Sequence, residues 1–441
     1  MLWYHIIIKM SIGNFKKVNM GKIEKLREQF KLWNRIRYEQ DNIEIIDCEN
    51  FSQEQLEQGI ENFKASEKKT QYEPSCWNEI EAQCDFVSYK KEPTNIVERM
   101  VGAIIGRFAG CTLGVPVENY PISKMQELAK NGGMEFPPVD YWTIVERPED
   151  IQYGIDKRIS YSKDKINGVP VDDDITYVIL NMLLLERYGR NYTVEDIGNL
   201  WKEILPYACT AEEVALDNLK KGIDANLVAE CNPYVEWIGA AIRGDAFGYA
   251  YAGDPIMAAK LSYNDAYLSH RRNGIYGEMF TSSAVSAGFV ADTPLDALKI
   301  AKTCVPKNSR LYKDLEWAFS FEGKLKDYLH ARKLLDDRFV GMDGVHTNNN
   351  MCAVVFAIML GEGDYTKTIS NSIAIGLDND CNGATVGSIV GANVSIKNIP
   401  EYWYKCFNDN VRTYLIGYEN LSLQDVIDRF VNLYNKFLKG E

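Results

Sequence analysis

The stretch Gly376-Leu377-Asp378-Asn379-Asp380-Cys381-Asn382-Gly383-Ala384-Thr385-Val386-Gly387-Ser388-Ile389-Val390-Gly391 puts an acidic pair at the head of an apolar segment with glycine at every fourth position. Far upstream, Gly102, Gly106, Gly110 and Gly114 repeat the same spacing in another apolar segment. Glycine inside a helix costs about 1 kcal/mol relative to alanine. Residues four apart share one helix face, and a row of them lets another backbone come close. The two rows therefore predict packed helices at the centre of the molecule that hold their adjoining loops near each other. A second acidic run, Asp172-Asp173-Asp174, heads the apolar segment Ile175 to Tyr188.

Ionised carboxylates beside segments that must be buried either take up protons or share a cation. Hard divalent cations prefer oxygen ligands. Asp172, Asp173, Asp174, Asp378 and Asp380 thus predict a Mg²⁺-type centre, with room in charge for two ions. The competing reading is a pair of acidic helix caps, for which aspartate is well suited. One aspartate explains a cap; three in a row and a second pair do not follow from capping. Asp378-x-Asp380-x-Asn382-Gly383 also matches the start of a calcium EF-hand loop. That match fails at Val386 and at Ile389, where a bidentate glutamate is needed. The aspartate pair of aspartate-dependent phosphatases follows a strand near the start of the domain, whereas here a helical pattern precedes it.

At 441 residues the chain fits a large domain with an extension, or two domains. A net charge of −13 argues against nucleic acid or an anionic membrane as the main partner. The ten cysteines include no Cys-x-x-Cys pair or zinc spacing, and they are read as reduced thiols of a cytoplasmic protein. The opening MLWYHIIIKM is too short to span a bilayer and lacks a signal-peptide pattern, and Met20 is taken as the nearer natural start.

Ile23, Leu26, Phe30, Trp33 and Ile36 have helical spacing, and Ser52-x-x-Gln55 is a capping box opening a helix to about residue 68. Residues 1–95 are read as a helical extension that docks on the main body, 96–441. From 96 onward, helical stretches follow one another: 96–114, 122–131, 174–189, 194–206, 209–222, 233–250, 254–269, 275–290, 294–305, 308–333, 348–360, 366–376, 381–394 and 421–438. With no βαβ rhythm, the expected body is an all-α globule of many helices, with connections that carry the polar motifs. Glu118 follows the helix stop at Pro116 and is placed to reach a site from a loop.

These segments resemble the ADP-ribosylglycohydrolase family, in the family's order, over about residues 96–410. Residues 102–118 are similar to its opening glycine-rich helix ending in Pro-Val-Glu. Asp172-Asp173-Asp174-Ile175 is similar to its Thr-Asp-Asp-Thr metal motif, and Gly376 to Cys381 to its Gly-x-Asp-x-Asp-Thr motif. Trp237 to Arg243 resembles its substrate loop, and Ser269-His270 through Gly277 its central histidine segment. Departures are Asp172 and Cys381 where the family has threonine or serine, and Cys111 where it has aspartate.

The resemblance implies a metal-dependent hydrolase cleaving the glycosidic bond at the ribose C1″ of an ADP-ribosylated protein or small molecule. It implies that 96–441 is the catalytic domain, a multi-helix orthogonal globule with a central metal cleft, and that two Mg²⁺ ions, with Mn²⁺ as a substitute, are held there by Asp172, Asp173, Asp174, Asp378, Asp380 and Cys381. Glu118, Asp173 and Asp380 are its implied catalytic residues. Gly239 and Arg243 are expected at the diphosphate, and His270, Tyr276 and Gly277 along the substrate. A monomer is expected. The alternatives are a non-catalytic nucleotide-binding or structural relative, and an N-glycosidase acting on another small molecule.

Overall fold

The computed structural model describes residues 21–41, 44–65 and 73–440. The apolar opening, Met20 and the end of the second expected helix lie outside the described residues. Helix α1 (Lys22–Asp41) and helix α2 (Gln53–Ala65) bury Phe30, Trp33, Leu56, Ile60 and Phe63 in a small core of their own. The capping box is present: Gln55 N donates to Ser52 Oγ at 3.3 Å and Ser52 N to Gln55 Oε1 at 2.8 Å. Residues 73–91, where no periodicity is visible, include the short helix α3 (Trp77–Glu81) and lie on the main body. Asn273 Nδ2 donates to Glu73 Oε1 at 3.0 Å, Tyr263 Oη to the Ser75 carbonyl at 2.9 Å, and Lys91 N to the Gly253 carbonyl at 3.0 Å.

The body is all-α, as the patterning predicts. In chain order it contains α4 (Ile96–Gly114), α5 (Ile122–Asn131), α6 (Asp173–Tyr188), α7 (Val194–Ile204), α8 (Thr210–Lys220), α9 (Asp245–Ala250) and α10 (Pro255–Ser269). There follow α11 (Asn273–Gly288), α12 (Pro294–Lys302), α13 (Arg310–Phe319), α14 (Tyr328–Arg338), α15 (Thr347–Gly361), α16 (Tyr365–Ile375), α17 (Asn379–Val394) and α18 (Leu423–Leu438). Two small antiparallel hairpins interrupt them: β1 (Ile151–Gln152) with β2 (Asp156–Lys157), and β3 (Val411–Arg412) with β4 (Asn420–Leu421).

Two expected helices differ. The stretch 308–333 is two helices, because Gly323 turns the chain at φ +69° and Asp327 caps α14 by accepting from His330 N at 2.8 Å. The stretch 233–250 is mostly turns, with a 3₁₀ turn at Ala241–Arg243 before α9. Its small residues bend the chain around buried Arg243 instead of forming a helix. Where helix starts were read a few residues late, as at Asn273 and Asn379, polar residues occupy the first turn and hide the apolar period.

Helices α4 and α17 run antiparallel along their glycine rows. A Cβ added at Gly102 would lie 2.4 Å from the Gly391 carbonyl oxygen, one at Gly106 2.2 Å from that of Gly387, and one at Gly110 2.0 Å from that of Gly383. At Gly114 it would lie 2.4 Å from the Asp380 Cα and N. The partners are backbone atoms, which no rotamer change can move away. Cα–H···O contacts of this kind recur where helices meet closely.

Gly387→Ala tests this seam. Helix propensity alone favours alanine by about 1 kcal/mol, and overpacking costs about 1–3 kcal/mol or more. Crowding against backbone should win, lowering the melting temperature, and Gly106→Leu should not yield a folded protein. A melting temperature at or above wild type for Gly387→Ala would show that the helices can separate at no cost.

Candidate metal centre and cleft

The seam delivers Asp378 and Asp380 to the C-terminal end of α4, from which the chain turns through Pro116 to Glu118. Glu118, Asp378 and Asp380 each offer a carboxylate oxygen within 4.8 Å of the others. The loop is set by Asn350, whose Oδ1 accepts from Asp378 N at 3.2 Å and from Asn382 Nδ2 at 2.8 Å. Asn379 Oδ1 accepts from Asn119 N at 3.1 Å, tying the Glu118 turn to the second acidic motif.

The first motif reaches the same place through a buried arginine. Arg107 sits between two rungs of the glycine row with no exposed atom. It donates from Nη2 to Asp174 Oδ1 at 3.0 Å and to the Asp174 carbonyl at 2.8 Å, and from Nη1 to Asp245 Oδ2 at 2.9 Å. Asp172 caps α6, its Oδ1 accepting from Asp174 N at 2.9 Å. Asp172, Asp173, Asp174 and Asp380 then converge within 4.8 Å, as do Asp174, Asp380 and Cys381, and Cys111, Asp172 and Asp174. Capping is thus real for one oxygen of Asp172 and leaves the others unaccounted for.

Asp172 Oδ2, Asp174 Oδ2, Asp378 Oδ1 and Asp380 Oδ1 are buried without a hydrogen-bond partner. Unmet buried acceptors are expensive. Burial, reinforced by Asp173 and Asp380, pushes the Asp172 carboxyl well up; burial, reinforced by Asp380 and Glu118, does the same at Asp378. Burial raises Asp174 against the pull of Arg107, and raises Asp380 to about 6. Glu118 is likewise pushed well up, by burial and then by Asp380 and Asp173. Oxygen-rich and over-supplied with negative charge, the donor set suits hard divalent ions. The two thiols suit them less: burial and the neighbouring aspartates hold Cys111 and Cys381 protonated.

A narrow cleft opens beside this centre. One stretch of its wall is Asp173, Asp378 and Cys381 of the acidic centre; another is Cys209, Thr210, Glu212 and Gly239. Over the centre, Tyr153 at the β1–β2 turn donates its hydroxyl to Asp173 Oδ1 at 2.9 Å and stacks on Tyr414 with centroids 5.3 Å apart.

Among the expected substrate residues, Gly239 lines the cleft. The others do not present side chains to it. Arg243 is fully buried and surrounded by its own acceptors: Asp265, Glu212, the Gly239 carbonyl and Ser269 Oγ. This departs from the expected diphosphate contact, since no guanidinium N–H is turned outward. Tyr276 donates its hydroxyl to the Pro74 carbonyl, anchoring the N-terminal segment instead of a ribose. His270 is buried with Nδ1 2.9 Å from Ser269 Oγ. Gly277 packs on Thr347, whose Cγ2 would be 2.4 Å from an added Cβ. Arg107 and Glu212 are the residues that sequence reading passed over. Arg107 carried a signal, a lone charge inside an apolar, glycine-rich helix.

The chain belongs to the ADP-ribosylglycohydrolase family, whose model matches residues 92–437. The family is one of glycohydrolases, which supports a hydrolase acting on a glycosidic bond. A solved structure described as an ADP-ribosylglycohydrolase-related protein complex is similar at 17% identity and a TM-score of 0.47, covering 77% of this chain and 98% of that one. None of the curated proteins matches the chain.

The centre makes a signed prediction about pH. A carboxyl raised in the folded state binds protons that the unfolded chain has released, so its contribution to stability is lost as pH rises through the folded value. For Asp380 that window runs from the ordinary aspartate range to about 6, a loss on the order of 2–3 kcal/mol. In a chelator, melting should therefore fall between about pH 4 and pH 7. Saturating Mg²⁺ should remove the fall, and Asp380→Asn should flatten it. Equal melting at both pH values in chelator would mean that the carboxylates are already neutralised by protein groups.

Proposed function

We propose that the protein is a divalent-metal-dependent hydrolase that cleaves the glycosidic bond at C1″ of an ADP-ribosylated substrate. The observation that carries this reading is the convergence of both acidic motifs and Glu118 on one buried point, with four carboxylate oxygens unpartnered. Asp172, Asp173, Asp174, Asp378 and Asp380 are assigned as ligands, and five carboxylates nearly balance two divalent ions. Two Mg²⁺ ions, or Mn²⁺ in their place, would supply Lewis acidity for ribose hydroxyls and for water.

The chain's own groups do the rest. Asp173 belongs to both the acidic centre and the cleft wall, so it can hold substrate water while Tyr153 fixes its carboxylate. Glu118 and Asp380 lie across the same centre and share in taking the proton of the attacking water. Gly239 presents backbone to the ribose. Residues 1–95 are assigned as an accessory extension and 96–441 as the catalytic domain. The ten cysteines, with no Cys-x-x-Cys or zinc spacing, support a reducing, cytoplasmic setting, and a monomer is the simplest assembly for a cleft built within one chain.

Free ADP-ribose should appear when the protein is incubated with Mg²⁺ and one of ADP-ribosyl-arginine, ADP-ribosyl-serine or O-acetyl-ADP-ribose, and not in chelator. Release from none of the three, with Mg²⁺ shown to bind, would overturn the reading in favour of a non-catalytic relative.

Cys381 offers a finer check. Its thiol shares a ligand-sized space with Asp174 and Asp380, and thiols favour softer ions than Mg²⁺. Cys381→Thr should shift the ratio of Mg²⁺ to Mn²⁺ thermal stabilisation toward Mg²⁺. An unchanged ratio removes Cys381 from the ligand set.

A further inference from the structure

Along the same cleft as the acidic centre, the structure carries a second ionic cluster that nothing above uses. Arg243 is its single cation. Around it stand Asp265, Glu212 and Glu278, all buried. Asp265 accepts from Arg243 Nε, and its carbonyl accepts from Nη2 at 3.0 Å. Glu212 Oε1 accepts from Nη1 at 2.7 Å. Glu278 Oε2 stands 3.9 Å from Nε, and neither of its oxygens has a hydrogen-bond partner. One cation has three carboxylates, more than neutrality requires. Buried charge in excess of its partners is strongly destabilising, and one cation among three carboxyls leaves two of them protonated at neutrality: Glu278, which burial and then Asp265 push well up, and one of the two that bond to Arg243.

Of the three, only Glu212 faces the cleft. Its carboxylate presses on Gly239, where an added Cβ would lie 2.2 Å from Oε1 and 2.6 Å from Oε2. Any larger residue at 239 would displace the carboxyl from the wall. Beyond Arg243, its contacts are the Thr210 hydroxyl at 3.5 Å and His270 Nε2 at 4.0 Å. This wall is therefore a poor seat for a diphosphate, since a carboxyl stands there and the nearby guanidinium is enclosed. It is well suited to a group that needs a proton.

We propose that Glu212 is the acid of the cleft, donating its carboxyl proton to the leaving atom as that atom's bond to C1″ breaks. The proposal rests on the glycosidase reading above. The bonding pair leaves with the acceptor oxygen, as in a serine linkage, which takes the Glu212 proton and departs as a neutral hydroxyl. Water adds to C1″, and its proton passes to the acidic wall and returns through solvent to Glu212. The new Glu212 carboxylate is met by Arg243 Nη1, already in place. Burial raises the Glu212 carboxyl to about 7 against the pull of Arg243, with Asp173 and Asp265 adding to the rise. An acid of that strength matches work near neutral pH, and a pair of carboxyls about one site is the usual equipment for hydrolysis at an anomeric carbon.

Glu212→Gln tests this, because the amide keeps the shape and a donor to the cleft but carries no transferable proton. Two kinds of C1″ glycoside of ADP-ribose separate the outcomes. The serine of ADP-ribosyl-serine leaves as an alkoxide that needs a proton; a p-nitrophenyl glycoside leaves as a stable anion. The variant should lose about 100-fold or more in kcat on the former and less than about fivefold on the latter, with Mg²⁺-dependent melting retained. Glu212→Asp should restore part of the loss. Equal losses on both kinds would make Glu212 a positioning counter-ion of Arg243, and no loss would make it a bystander; either overturns the proposal. If the wild-type protein releases ADP-ribose from none of them, the glycosidase reading fails and the acid falls with it.

Discussion

The close approach of α4 and α17 is the constraint from which the rest of the site follows. Two backbones in contact over Gly102–Gly391, Gly106–Gly387 and Gly110–Gly383 leave no freedom of register or tilt. A slip of one residue would drive a side chain into a carbonyl. Because the helices are antiparallel, the end of one lies against the start of the other. The exit of α4 must then turn beside Asp378 and Asp380, and Glu118 is placed by that geometry. Helix propensity gives up about 1 kcal/mol per glycine for this, a steady cost that positions carboxylates far apart in sequence.

The second consequence is electrostatic. Burying so many aspartates at one point needs fixed positive charge, and Arg107 supplies one unit to Asp174 and Asp245 from within the seam helix itself. It does not neutralise the cluster. A structure seeking only stability would be served by apolar residues there, since a buried ion network is often less stable than its hydrophobic replacement. The excess of unpartnered carboxylate oxygen is the feature that distinguishes a cation site from a scaffold. A relative kept only for its shape would have no physical need of it.

How much of this was legible in the sequence depends on the range of each interaction. The glycine rows and acidic runs are periodic or local, so the seam and the convergence of residues 172–174 with 378–380 could be read directly. The all-α body followed from apolar period. The 233–250 turn did not, because Gly239, Ala240 and Ala241 mimic a helix in composition while the chain folds around the ion pairs of Arg243. Those pairs join α8, α10 and α11, and no local pattern marks Glu212 or Asp265 as their partners. Tyr276 misled for the same reason: a tyrosine near a motif carries no sign of which side it faces, and here Pro74, about two hundred residues upstream, takes its hydroxyl.

The two walls of the cleft therefore differ in kind. The wall of Asp173 and Asp378 is short of cations, and its carboxylates call for metal. The wall of Glu212 has one enclosed cation, and its carboxyls share too few charges to be all ionised. Groups pushed in the same direction by burial thus serve different chemistry according to what stands beside them. Near the first wall a bound divalent ion would keep carboxylates ionised; near the second, Arg243 would receive a carboxylate once its proton had gone. A substrate bridging them would meet an electrophilic centre on its ribose side and a proton on its leaving side. The glycine at 239 is what lets the second wall come that close, as the glycines of α4 and α17 do for the first.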